Sequence, residues 1–196
     1  MIVLASGSAT RRALLESAGV SFVVDTSPVD EQAVKDAMRV ETDNPARVAE
    51  VLAELKATRV SARHSGAIVL GADQMLECER VWFDKPADRA AARAQLLALR
   101  DKTHRLVSSV VAVRDGQRLW QHSEAAKLTM RRFSDAFLDA YLDQAGDAVL
   151  SSVGAYQLEG LGAQLFMAVD GDHFTILGLP LLAVLDFLRE NGELRP

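Results

Sequence analysis

Two hydroxyls, a glycine and a guanidinium open this chain in a spacing that suits phosphate. The first residues are MIVLASGSATRR. An apolar run, Ile2 to Ala5, stops at Ser6-Gly7-Ser8, and a basic pair, Arg11-Arg12, follows. A helical pattern, Ala13-Leu14-Leu15-Ala18, comes next, so the segment reads as buried strand, tight polar turn and helix. A helix N-terminus leaves backbone N–H groups unpaired and carries partial positive charge, which favours an anion. Taken alone, the same residues also fit an N-cap serine and solvated arginines.

Further along, Gly71-Ala72-Asp73-Gln74 puts a carboxylate directly after a buried apolar run, Ala67 to Gly71. Open α/β sheets place ligands at the carboxyl ends of their strands. Asp73 there suits accepting a proton from water or binding a divalent metal, and Gln74 suits a nucleobase or another neutral polar group. In Asp84-Lys85-Pro86 the proline biases Lys85 towards extended backbone, and a lysine held so is a point charge for phosphate. Asp30-Glu31 precedes a helix, where acids complement the dipole; a magnesium-type ion would also accept one or two such carboxylates beside substrate oxygens. Lys56 lies beside the apolar stripe of its helix, where a lysine normally snorkels to solvent and less often reaches a cleft. Gly154 to Gly160 is too rich in glycine for a packed strand, so Glu159 is expected in a loop or bent edge, able to accept hydrogen bonds from a base.

These residues need a scaffold that alternates strand and helix. Ser21 to Thr26 reads as a second strand. Asn44-Pro45 opens a long helix, with Val48, Val51, Leu52 and Leu55 as its apolar face. Gln74 to Phe83 reads as a hairpin or extended arm, and Asp88 to Leu99 as an alanine-rich amphipathic helix. Asp115-Gly116 is a two-residue turn between Leu106–Val113 and Arg118–Arg132. Ser134 caps a helix that Gly146 ends. Asp170-Gly171 gives a further hairpin signal between Phe166–Val169 and His173–Ile176, and Gly178-Leu179-Pro180 leads into a last helix ending near Arg189. Because several strands are hairpin-linked, the fold class expected is α/β with a mixed central sheet and flanking helices.

Composition narrows the function. The chain has 196 residues, enough for one domain, and 49% are hydrophobic, so a sizeable core is available. A net charge of −5 argues against general nucleic-acid binding and restricts any polyanion site to a local cationic cluster. The single cysteine, Cys78, excludes an internal disulfide and a cysteine-cluster zinc site. No apolar run is long enough to span a bilayer and no leader pattern is visible, so a cytoplasmic protein without membrane contact is expected. His64, His104, His122 and His173 share no metal-ligand spacing. The P-loop, dinucleotide and nucleophile-elbow patterns are absent, and covalent catalysis has no support.

Weak singly, the motifs are specific in their order. LASGSATRRALL, VDE, LAELKA, GADQ, DKP, GAYQLEGLGAQLF and GDHFTILGLPL together resemble the Maf family from residue 2 to about residue 188. The resemblance implies a single Maf-like domain, 1–196, with a fold like that of the inosine triphosphate pyrophosphatases, two lobes around a cleft. It implies a nucleoside triphosphate pyrophosphatase using a divalent metal (Mg, Mn or Co), or alternatively a nucleotide-binding regulator of septum formation without turnover. By motif, Asp73 is the proton acceptor; Ser6, Ser8, Arg11, Lys56 and Lys85 hold the triphosphate; Glu31, with Asp73, binds the metal; Gln74 and Glu159 face the base. A homodimer is compatible with the family. Gln74 and Glu159 resemble members that take 7-methyl-GTP, whereas Gly154-Ala155-Tyr156 resembles the dTTP and UTP group, so the base stays open. Ala9-Thr10 departs from the family's usual continuation, and the Arg100–His104 segment lacks its Ser-Gly.

Overall fold

Ile2, Val3 and Leu4 are all buried because the strand they form is covered on both faces and paired on both edges. The computed structural model describes residues 1–195. In it β1 (Ile2–Leu4) runs parallel to both β2 (Phe22–Val24) and β3 (Ile68–Cys78), with Ile2 opposite Phe22 and Ile68. The remaining strands are β4 (Val81–Phe83), β5 (Thr103–Arg114), β6 (Gln117–Met130) and β7 (Phe166–Asp170). They make one mixed seven-stranded sheet in the order β2-β1-β3-β5-β6-β7, with β4 antiparallel on β3. Helices flank it, as expected of the mixed α/β class. The Asp115-Gly116 turn has φ of 50° and 76°, as a two-residue hairpin turn of this kind requires. The Glu79-Arg80 turn joining β3 to β4 does the same with non-glycine residues, at φ 52° and 68°.

The chain divides into two compact units, and β3, β5 and β6 each contribute residues to both. The first unit comprises Met1–Gln74, Val107–Ala125 and the segment from Asp172 onward. Its strands alternate between two apolar clusters. Ile2, Leu4, Ile68, Leu70, Val110 and Ala112 pack with Leu15 of α1 (Ala9–Ser17) and with Val184, Phe187 and Leu188 of α7 (Leu181–Glu190). Val3, Ala5, Val69, Val111 and Val113 pack with Ala53, Ala57 and Val60 of α3 (Pro45–Ser61). Successive side chains on a strand leave opposite faces, so each cluster is one face of the sheet.

The first unit departs from the sequence reading in three places. The buried stripe of α3 is Val48, Ala49, Leu52, Ala53, Ala57 and Val60, while Val51 and Leu55 are only half-buried. Small residues face the sheet because the helix runs close to Gly71: a Cβ there would overlap the Ala53 carbonyl and press on Ala57. The run ending at Gly71 does not end there, and Asp73 and Gln74 are strand residues. What stops is β1: its last contact is the Ala5 amide donating to the Leu70 carbonyl at 2.8 Å, so β3 continues past its neighbour. His173–Ile176 is one helical turn, α6, and not a strand. Asp172 causes this by accepting from the Thr175 amide at 2.7 Å, a cap that a β-hairpin would not use. An eleven-residue helix, α2 (Glu31–Glu41), completes the unit.

The second unit comprises Met75–Leu106 and Ala126–Gly171. It contains α4 (Arg89–Leu99), capped by Asp88, and α5 (Asp135–Ala145), capped by Ser134 and ended by Gly146 at φ 54°. Segment 154–160 is not an edge strand: Val153–Ala155 is a 3-10 turn, followed by irregular backbone that leaves Glu159 exposed. His104 is structural. It is 1% exposed, its Nε2 lies 2.7 Å from the Tyr156 hydroxyl, and burial pushes its pKa down to about 4, so it is neutral.

The close approach at Gly71 generates a stability prediction. Gly71→Ala forces α3 away from β3, and overpacking of this kind costs about 1–3 kcal/mol. Urea unfolding checks it; a midpoint unchanged from wild type would contradict the close approach.

Candidate active site

The opening turn folds around Arg11. Ser8 is the N-cap of α1, its Oγ accepting from the Arg11 amide at 3.3 Å. The Arg11 side chain turns inward, while Arg12 faces solvent beside Glu16. Arg11 Nε donates to the Gly178 carbonyl at 2.7 Å, and Nη1 donates to Ser6 Oγ at 3.0 Å and to the Ala72 carbonyl at 2.9 Å. Nη2 has no partner among the described residues. The guanidinium is thus fixed by three acceptors, with one amino group left for an anion. Gly178 is required for this: it has φ of 96°, and a Cβ would come within 3.4 Å of Arg11 Nε. Desolvation lowers the Arg11 pKa, opposed by the charges of Asp73 and Glu31.

Next to Ala72, Asp73 is 5% exposed. Its Oδ1 accepts from Lys56 Nζ at 2.6 Å, and the same ammonium lies 2.7 Å from Glu31 Oε1. Lys56 therefore does not snorkel; it bridges two carboxylates from different elements. Asp30 takes the capping role, accepting from the Ala33 amide at 3.0 Å, which leaves Glu31 to reach Lys56. Asp73 Oδ2 is buried with no hydrogen-bond partner. Burial raises the Asp73 pKa above the ordinary carboxylate range, while Lys56 and Arg11 pull it down. An ionisable oxygen held without a protein partner is suited to receive a proton or bind a cation.

A divalent metal fits this donor set in one way only. Among the described residues no group of three or more His, Cys, Asp or Glu gathers as a full protein cage. Asp73 Oδ2 and the Glu31 carboxylate are what a magnesium-type ion takes from a protein when substrate oxygens and water complete its shell.

Gln74 leaves the other face of β3. Its Nε2 lies 3.1 Å from Ser108 Oγ, 3.2 Å from the Thr175 carbonyl and 3.0 Å from the Ile176 carbonyl. The structure thus brings together Ser6, Ser8, Arg11, Glu31, Lys56, Asp73 and Gln74 within the first unit. Lys85 and Glu159 belong to the second unit. Lys85 follows β4 in an exposed position, before the buried Pro86, and Glu159 is likewise exposed. Neither has a protein partner among the described residues.

Sequence reasoning missed the Gly178 and Ala72 carbonyls, Ser108 and Thr175. Carbonyl roles leave no trace in residue type. The Ser108-Ser109 pair does leave one: two fully buried hydroxyls interrupt the apolar run Leu106 to Val113.

Residues 1–191 match the Maf-like protein family. The chain belongs to the Maf family. A Maf relative from Paramagnetospirillum magneticum, named nucleoside triphosphate pyrophosphatase, is 74% identical over 99% of this chain and all of its own length. A second from Granulibacter bethesdensis, with the same name, is 50% identical over 98% of both chains. One from Brucella abortus, named 7-methyl-GTP pyrophosphatase, is 48% identical over 97% of this chain and 96% of its own. The crystal structure of a nucleoside-triphosphatase / dITP/XTP pyrophosphatase from Mycobacterium abscessus aligns over 97% of this chain and 94% of its own, with a TM-score of 0.43 and 17% identity.

The electrostatics of this Maf site predict a direction. Lys56→Met removes the cation that contributes most to lowering the Asp73 pKa, so the carboxyl should titrate at still higher pH than in wild type. Carbon-13 NMR titration of the Asp73 carboxyl checks this. A downward move would refute the balance described.

Proposed function

We propose that this chain hydrolyses the α–β phosphoanhydride of nucleoside triphosphates, releasing a nucleoside monophosphate and pyrophosphate. One observation carries the reading: a buried carboxylate with a free oxygen, Asp73, stands one residue from the carbonyl that anchors Arg11. Phosphoanhydride hydrolysis asks for a proton acceptor and fixed positive charge, and little else from the protein. The names of the relatives describe the same activity.

In this reading Asp73 Oδ2 accepts the proton of the attacking water. Burial raises its pKa above the ordinary carboxylate range, which makes the ionised form a stronger proton acceptor. Lys56 holds Oδ1 and so aims Oδ2. Arg11 Nη2 and the Ser6–Ser8 turn at the α1 N-terminus receive phosphate oxygens. Lys85 adds a further cation and Glu159 an acceptor for the base, roles that rest on motif resemblance. A divalent cation (Mg, Mn or Co) held by Asp73 and Glu31 would neutralise developing charge on the phosphates. Gln74 and Glu159 favour a base with N–H donors, and the Brucella relative's name makes 7-methyl-GTP a candidate. A cytoplasmic setting and a homodimer complete the proposal. The alternative, a division regulator without turnover, gains nothing from the relatives, whose names describe hydrolysis.

Asp73→Asn should lower kcat by about 10²–10⁴-fold, the usual worth of a general base, with circular dichroism unchanged. Pyrophosphate release from dTTP, UTP, CTP, GTP and 7-methyl-GTP with each metal measures it; near-normal turnover would exclude Asp73 as the base. Lys85→Ala should lower kcat/KM by about ten- to a hundredfold, as loss of a charge-assisted phosphate contact would. An unchanged kcat/KM would make Lys85 a surface charge.

A further inference from the structure

The carboxamide of Gln74 has only one orientation that its surroundings allow. The Thr175 and Ile176 carbonyls, 3.2 and 3.0 Å away, can only accept, so the atom facing them must be the NH2 group. The third neighbour agrees. Ser108 Oγ donates its one proton to the Thr175 carbonyl at 2.8 Å, which leaves it to accept from Gln74 at 3.1 Å. Ser108 and Thr175 are both fully buried. Thr175 is in turn tied by its Oγ1 to Glu124 at 3.0 Å and by its amide to Asp172 at 2.7 Å. Every donor of the Gln74 amide is thereby committed. Its Oε1 has no partner among the described residues and looks towards Gly178, beside the Arg11 guanidinium.

We infer that Ser108 is a specificity-positioning residue: by donating to the Thr175 carbonyl it holds in place one of the two carbonyls that lock Gln74, so that only an acceptor is offered to the nucleobase. The inference rests on the reading above that Gln74 meets the base. A freely rotating glutamine would accept either a donor or an acceptor edge; this one cannot turn without setting Oε1 against two carbonyls. The favoured ligand is therefore a base with a protonated ring nitrogen, such as guanine N1–H or uracil N3–H. The same base methylated at that nitrogen presents no donor and is disfavoured.

The test compares GTP with 1-methyl-GTP and UTP with 3-methyl-UTP, on wild type and on Ser108→Ala, with thermal melting as the fold control. Wild type should prefer the better unmethylated substrate over its methylated partner by about tenfold in kcat/KM, the worth of one hydrogen bond. Ser108→Ala should contract that ratio several-fold by raising KM for the unmethylated substrate, leaving the methylated one near its wild-type value. A merely structural serine would lower both substrates equally. Equal wild-type use of the methylated and unmethylated forms would overturn the acceptor-only reading with no variant needed. An unchanged ratio in a folded Ser108→Ala would remove Ser108 from it. Failure of wild type to release pyrophosphate from any of dTTP, UTP, CTP, GTP and 7-methyl-GTP would instead overturn the proposed activity.

Discussion

The fork of Arg11 is the interaction on which the site depends. Its guanidinium joins Ser6 in the first turn, Ala72 in β3 and Gly178 before α7, three segments far apart in sequence. Each acceptor fixes one edge of a planar group, so the remaining amino group is aimed without any motion of its own. A lysine ammonium has no such plane and would satisfy these acceptors only by surrendering its direction. The Ala72 carbonyl also means that the cation and the Asp73 carboxylate are set by the same stretch of backbone.

The acid is poised by opposing forces of similar kind. Desolvation favours the protonated carboxyl, and the neighbouring cations favour the ionised one. Lys56 is shared with Glu31, so its full charge is not spent on Asp73. That sharing keeps the buried acid from becoming a closed ion pair, and one oxygen stays uncommitted. A fully paired Asp73 would be more comfortable in the fold and less able to take a proton.

Much of this was legible before any coordinates. The N-cap reading of the turn before α1, the start of α3 at Asn44-Pro45 and the Asp-Gly hairpin rest on strong local rules, and the structure has all of them. Tertiary effects hid the rest. The apolar stripe of α3 includes Val48 and Leu52 as the sequence pattern implies, but Ala53 and Ala57 face the sheet in place of Val51 and Leu55, because close packing on Gly71 selects alanine, a choice hydropathy does not rank. The polar pair Asp73-Gln74 looks like a strand end and so hides the true length of β3, although each residue has partners inside the fold for one of its polar atoms. The α6 turn was lost to the hairpin signal of Asp170-Gly171, whose neighbour Asp172 caps a helix instead. Lys56 looked like a snorkelling residue because its two acids lie 25 and 17 positions away, beyond any local pattern.

Asp73 and Gln74 are consecutive on one strand, so the pleat sends the acid towards α3 and the amide towards α6. Loss or gain of a single residue upstream in β3 would exchange those destinations, burying an amide against Lys56 and a carboxylate against two carbonyls. Residue count between Ile68 and Asp73 is therefore constrained alongside residue type, and lineages of this protein should carry no insertions or deletions there.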